Sequence, residues 1–274
     1  MPPYTALGFK DMEGNFVNRE LKYQRVASGS VGVNWRPSTR IILSMEGFYK
    51  RYTDMPLSVL DNIPLACKGN DYGIFGNEAL VSTAQGRAYG VELLAKWQVP
   101  DRINASASLT LYQSEYRNDK HSPYLPSAWD NRYILNMSCI WSLPRKWDLG
   151  AKLSVIGGSP YTPFDEEKSS LVEAWNASGR PLYNYDLYNT CRLASYAQLD
   201  LRIDKNYFFR KWRLEWYVSL QNVTGSKLRE QDAFISTGEV LNRNIPLSEQ
   251  RYRMRTIKQE TGSIIPSLGI TVEF

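Results

Sequence analysis

Apolar and polar side chains alternate along long stretches of this chain. In residues 264–274 the alternation holds from Ser267 onward: Leu268, Ile270, Val272 and Phe274 point one way, and Ser267, Gly269, Thr271 and Glu273 point the other. A β-strand turns successive side chains to opposite faces, so this stretch is a strand with one apolar and one polar face. The same period of two predicts strands at 21–35, 40–52, 89–99, 103–116, 132–141, 147–156, 196–208 and 212–223. In 103–116, for example, Ile103, Ala105, Ala107, Leu109 and Leu111 oppose Asn104, Ser106, Ser108 and Thr110. In 196–208, Leu199, Leu201 and Ile203 oppose the polar row Gln198, Asp200, Arg202, Asp204 and Asn206.

The connections follow a second pattern. Tight turns at 36–39, 100–102, 143–146 and 209–211 alternate with long segments at 53–87, 117–131, 157–195 and 224–263, which are expected to be irregular. Residues 1–20 are polar and turn-rich and are expected to be the end of an extracellular loop, with residues 21–274 forming the barrel portion. Strict alternation of short turns and long loops, with strands of ten or more residues, is the up-and-down pattern of an outer-membrane barrel. Trp35, Trp97, Trp141, Trp147 and Trp212, five of the eight tryptophans, adjoin tight turns, where a membrane interface would favour a ring half buried with its N–H wet. The predicted fold is therefore all-β: an antiparallel up-and-down transmembrane β-barrel of about nine strands. Single-chain bacterial barrels have even strand numbers, so an odd count predicts a partial barrel.

Composition narrows the chemistry. The chain has 274 residues, of which 13% are aromatic, and a mean hydropathy of −0.42. It lacks the long apolar run of a transmembrane helix, which does not argue against a barrel, because polar and apolar faces cancel in the average. A net charge of +5 spread without a Lys/Arg block gives no nucleic-acid signal. No export signal is visible at Met1-Pro2-Pro3-Tyr4. Cys67 and Cys191 fall in long segments and Cys139 in a strand; a Cys67–Cys191 disulfide and three unrelated thiols both remain open. With His121 as the single histidine, no zinc site is expected. No nucleophile elbow, phosphate loop or metal cluster is present, so neither an enzyme nor a cofactor site is expected. Glu166-Glu167 are read as solvated loop acids, and the loop aromatics Tyr161, Phe164, Trp175, Tyr183, Tyr185 and Tyr188 as candidate ligand contacts.

Several segments together carry a family resemblance: Leu125 to Asn136 (LPSAWDNRYILN), Gly157 to Pro163 (GGSPYTP), Gln198 to Lys205 (QLDLRIDK), Gln221-Asn222-Val223 and the terminal strand through Phe274. In order and spacing they resemble the C-terminal part of the barrel of TonB-dependent outer-membrane receptors. That resemblance implies a 22-stranded barrel with an N-terminal plug. It implies energy from the TonB complex, contact with outer-membrane lipid in a Gram-negative bacterium, and import of siderophores, cobalamin or glycans. It also implies that the terminal aromatic strand, Leu268 to Phe274, is read by the barrel-insertion machinery. Plug, TonB box and more than half the strands are not recognised here, so a fragment of a receptor is expected. The alternatives are a plugless structural or adhesive barrel and a secreted carbohydrate-binding β-sandwich.

Overall fold

The structure, a computed structural model, describes residues 4–68 and 76–274. The opening Met1-Pro2-Pro3 and the middle of the 53–87 segment therefore lie outside the described residues. A helical turn α1 (Tyr4–Leu7) precedes the strands β1 (Arg25–Ser38), β2 (Ile41–Ser58), β3 (Leu80–Val99), β4 (Ile103–Arg117), β5 (Leu125–Pro126), β6 (Tyr133–Leu143), β7 (Trp147–Ile156) and β8 (Pro160–Tyr161). Helices α2 (Glu166–Ser170) and α3 (Val172–Ser178) follow. The chain then continues through β9 (Cys191–Arg192), β10 (Tyr196–Phe208), β11 (Arg213–Gln221), β12 (Leu228–Arg229), β13 (Ala233–Val240), β14 (Tyr252–Ile257), β15 (Glu260–Thr261) and β16 (Ile265–Glu273).

One antiparallel sheet runs β1-β2-β3-β4-β6-β7-β10-β11-β16, with β5 attached to β4. The nine strands on that path are the nine expected, each paired with its sequence neighbour, as in an up-and-down barrel wall. Among the described residues, β1 and β16 have no second neighbour, so the sheet is open. Register keeps the two faces distinct. Val33, Met45, Leu93, Leu109, Leu135 and Val155 stand opposite one another in six successive strands, on the apolar face. A slip of one residue in any pair would transfer that strand's apolar set to the polar side.

Several predicted boundaries move. β1 begins at Arg25 rather than at residue 21, and β2 and β3 extend well into the segment expected to be irregular. Register shifts between Tyr52, Met55 and Leu57, with Asp54 at φ 56°, break the period of two there, which hid the strand in the sequence. The third long segment holds two short helices: the Asp165 carboxylate accepts from the Lys168 N–H (3.0 Å) to start α2, and Gly179 at φ 63° ends α3. Glu166 and Glu167 therefore sit in the first turn of α2 rather than in a loop, although they are exposed as expected. The fourth long segment folds into the hairpin β13–β14 beside the β12–β15 pair. Elements this short carry little periodic signal.

The buried core lies at one end of the sheet. Ile63, Cys67 and Tyr116 form it, with Tyr52, Met55, Leu125 and Tyr188 packed around them, all near the long-loop ends of the strands. Mid-strand apolar side chains stay open, Val31 and Leu268 at 80% and 74% exposure. Within the sheet, Gly90 is held against its neighbour: a Cβ there would be driven into the Leu111 carbonyl and would lie 2.9 Å from Tyr112 Cα. Gly90→Val is expected to destabilise the fold by about 2 kcal/mol or more, read as a lower urea midpoint of the protein folded in detergent. An unchanged midpoint would contradict the packing.

Candidate functional site at the long-loop end

The long loops interlock through a few buried polar side chains. Asn189, in the third loop at φ 52°, donates from Nδ2 to the Cys67 carbonyl (3.0 Å) in the first loop and to the Pro126 carbonyl (2.9 Å) in the second. The Tyr188 hydroxyl donates to the same Cys67 carbonyl (3.2 Å). Asp130, fully buried, accepts from the Ser114 N–H (2.9 Å) and from the Arg192 guanidinium, with Arg132 at 3.8 Å. The third and fourth loops join where Arg251 donates to the Glu167 carbonyl and to Ser170 Oγ, both at 2.8 Å, and where Gln231 donates to the Thr162 carbonyl (2.9 Å). The N-terminal segment is pinned by Asn18, fully buried, which bonds the Ala6 and Glu78 carbonyls and the Leu80 N–H, all at 2.8 Å. The third loop is thus the hub.

Two titratable groups in the first loop feel this packing. Burial works against the Lys68 ammonium, but its hydrogen bonds to Asp61 and Glu78 outweigh burial and hold its pKa above the usual lysine value. Burial pushes the Cys67 thiol up to about 12, so it stays protonated and unreactive. Cys67, Cys139 and Cys191 are all free, so the Cys67–Cys191 bridge is not formed; Asn189 and Tyr188 tie those loops instead.

Four of the six candidate loop aromatics form a row. Phe164 and Tyr183 lie 5.0 Å apart, Tyr183 and Tyr185 6.3 Å, and Tyr185 and Tyr188 6.1 Å with planes 15° apart. Phe234 of β13 extends the row by stacking on Phe164 at 6.4 Å. Tyr161 joins Phe164, Tyr183 and Phe234 around a cavity of about 540 Å³ at the seam of the third and fourth loops, with Arg180 and Asp232 among the polar groups of its rim. Trp175, the sixth, lies on α3. Aromatic walls with a few polar groups at the rim suit an organic ligand that is only partly apolar. Phe234 carried no signal in the sequence, because β13 was not recognised; neither did Asn189, whose role depends on contacts 122 and 63 residues away.

The polar row of β10 is saturated. Gln198 donates to Asp200 (2.8 Å), which also accepts from the Asn222 N–H (2.8 Å). Arg202 bonds Asp204 through Nε (2.7 Å) and reaches Glu215 (3.1 Å). Asn206 donates to Asp148 (3.2 Å) and accepts from Arg213 (2.8 Å), which also pairs with Glu215 and, at 3.3 Å, with Glu273. Arg202 lies 3.9 Å over the Tyr217 ring, which in turn covers Gly269. On the other face, Leu268, Ile270 and Val272 stand opposite Val218, Trp216 and Leu214. Trp35, Trp97, Trp141 and Trp212 are exposed; Trp147 is half buried, edge-on to Trp216 at 5.3 Å. Among the described residues no cluster of metal-ligating side chains gathers.

Asp130→Ala would leave Arg192 without its carboxylate, which for a buried pair costs on the order of 3–5 kcal/mol. Limited proteolysis is expected to cut the second and third loops faster while the strands stay protected. Asn189→Ala, losing two buried bonds, is expected to cost about 1–3 kcal/mol and to open Cys67 to maleimide. Labelling as slow as in the native chain would refute the interlock.

A family model described as TonB dependent receptor-like, beta-barrel matches residues 1–223. Among curated proteins, no sequence matches. Among solved structures the chain is similar to the ferric yersiniabactin uptake receptor FyuA of Yersinia pestis (TM-score 0.54, 15% identity), over 92% of this chain and 30% of that one. It is also similar to the ferric-catecholate import receptor Fiu of E. coli K12 (0.52, 13%; 92% and 28%) and to the iron transporter FrpB of Neisseria meningitidis (0.51, 11%; 92% and 31%). At these identities the likeness is one of fold, and the chain spans less than a third of each relative's length. The family match and the open up-and-down wall agree: this chain belongs to the TonB-dependent receptor-like β-barrel family.

Proposed function

We propose that the chain forms membrane-spanning wall and external mouth of an outer-membrane receptor that takes up its ligand with energy from the TonB complex. On this reading the apolar face meets outer-membrane lipid, and the polar face, with Gln198, Asp200, Arg202, Asp204 and Asn206, lines the lumen. The height of the apolar face carries the reading. From Tyr89 to Trp97 on β3 are eight steps, ~26 Å along the strand at ~3.3 Å each, close to the ~25 Å apolar band of outer-membrane barrels. Rings bound it at both ends: Tyr49 stacks on Tyr89 (6.4 Å) at the long-loop end, and Trp35, Trp97, Trp141, Trp147 and Trp212 form a girdle at the short-turn end. A secreted β-sandwich would need a second sheet over that face, whereas the nine strands form one sheet.

The edges of β1 and β16 have no partner among the described residues, and in lipid each unpaired backbone group is costly, so further strands are proposed to close the wall. In such receptors TonB acts through an N-terminal plug, and this chain supplies wall and mouth. Leu268, Ile270, Val272 and Phe274 are proposed to be the strand engaged by the barrel-insertion machinery. Siderophores, cobalamin and glycans are the candidate ligands. A ferric siderophore comes first, because FyuA and Fiu are described as receptors for ferric yersiniabactin and ferric catecholates.

The native gene product is expected in the outer-membrane fraction with heat-modifiable migration on a gel. Cells carrying it are expected to accumulate one labelled ligand of these three classes only with TonB intact. Recovery in a soluble fraction, or uptake independent of TonB, would defeat the proposal. Phe274→Ser is expected to lower the level of folded protein in the membrane severalfold, without changing synthesis.

A further inference from the structure

At the long-loop end some cations are tied down, Lys68 to Asp61 and Glu78, Arg192 to Asp130, and Arg251 to Glu167 and Ser170, while Lys22 and Lys258 form no ion pair among the described residues. At the short-turn end no turn cation is tied down. The first turn, expected at 36–39, falls at residues 39–40 and holds Arg40; Arg102 lies in the second turn, Arg145 and Lys146 in the third, and Arg210 and Lys211 in the fourth. All six are exposed, and none forms an ion pair among the described residues. Asp101 is the one acid in these turns.

Turn geometry does not explain the choice of residue. In the three-residue connection 144–146 between the paired Leu143 and Trp147, Arg145 and Lys146 both sit at φ 63°, a left-handed conformation that hairpin turns ordinarily give to Gly, Asn or Asp. Long basic side chains are retained there against the backbone preference, and a broken local rule of this kind points to a role for the charge.

The cations also lie at one level. Lys146 and Lys211 directly precede Trp147 and Trp212, and Phe209 stacks on Trp212 at 4.0 Å across the fourth turn. Lys205, on the apolar face, passes 5.0 Å over the Trp147 ring and hydrogen-bonds the Arg145 carbonyl, so its ammonium leaves the apolar band at the turn. With indoles at the interface, charges one or two residues further out lie in the headgroup layer.

We propose that the short-turn end is a collar for anionic phospholipids: the six turn cations bind headgroups of net negative charge in the leaflet where the tryptophans sit. The proposal rests on the membrane reading above. Lipids whose headgroup carries a compensating ammonium are disfavoured, because that ammonium is repelled by the collar.

The tryptophans report the outcome. The full chain is folded into vesicles mixing phosphatidylglycerol and phosphatidylcholine, and one lipid at a time carries bromine on its acyl chains to quench the indoles it touches. Preference for phosphatidylglycerol is expected at about fivefold or more, the ratio that a single surface cation confers, falling towards one in ~1 M salt. A variant carrying Arg145→Asn, Lys146→Gly, Arg210→Gln and Lys211→Gln relaxes the third turn, so it keeps its fold, and it is expected to lose most of the preference. Lys22→Gln with Lys258→Gln, at the long-loop end, is expected to retain it. Equal quenching by both lipids, or a preference that survives the four substitutions, would overturn the collar. Absence of quenching by either lipid would instead overturn the membrane reading on which the collar rests.

Discussion

The backbone hydrogen-bond ladder is the constraint on which everything else depends. Nine strands pair antiparallel in one path, and their register keeps alternate side chains on opposite faces. In lipid each unpaired backbone N–H or C=O costs several kcal/mol, so such a wall has little freedom to bend, slip or end. That rigidity lets both faces be specialised without a hydrophobic core between them. Val33 to Val155 can stay open on one side, and Asp148, Arg202, Arg213 and Glu215 can form a paired polar lattice on the other. Individually such exposed pairs contribute about 0.2–1 kcal/mol; together they satisfy the charges of Arg202, Asp204, Arg213 and Glu215 within the sheet.

Conventional packing is moved to one end. Ile63, Cys67 and Tyr116 are buried there, and Asn18, Asp130 and Asn189 are the polar nodes that close the loops over them. Each node bonds backbone atoms of another segment, so the loops hold one another without a disulfide. Loops of this length would otherwise lose much conformational entropy on ordering. The aromatic row from Phe234 to Tyr188 lies on this locked surface, the placement that the proposed ligand-facing mouth requires. The short-turn end has no such packing, and its cations are left to whatever lies beyond the protein.

The strands were legible in the sequence because their signal is local. Alternation alone placed 147–156 and 196–208 at their observed limits. It failed where the local rule breaks: at the bulges after Tyr52, and at α2, α3 and the β13–β14 hairpin, which are too short to repeat a period. The motif Trp129-Asp130-Asn131-Arg132 stood out in the sequence, but its reason, a carboxylate buried against Arg192, did not.

The sequence by itself determined the number of wall strands, the order of short and long connections, and which residues of the wall share a face, because each follows from side-chain alternation over a few neighbouring residues. Tertiary structure alone decided which loops touch, which groups are buried, and that Arg40, Arg102, Arg145 and Lys211, scattered over more than half of the chain, stand on one rim. The physical reason is that burial and collective charge depend on distances in space, and antiparallel pairing brings together residues that the sequence holds far apart.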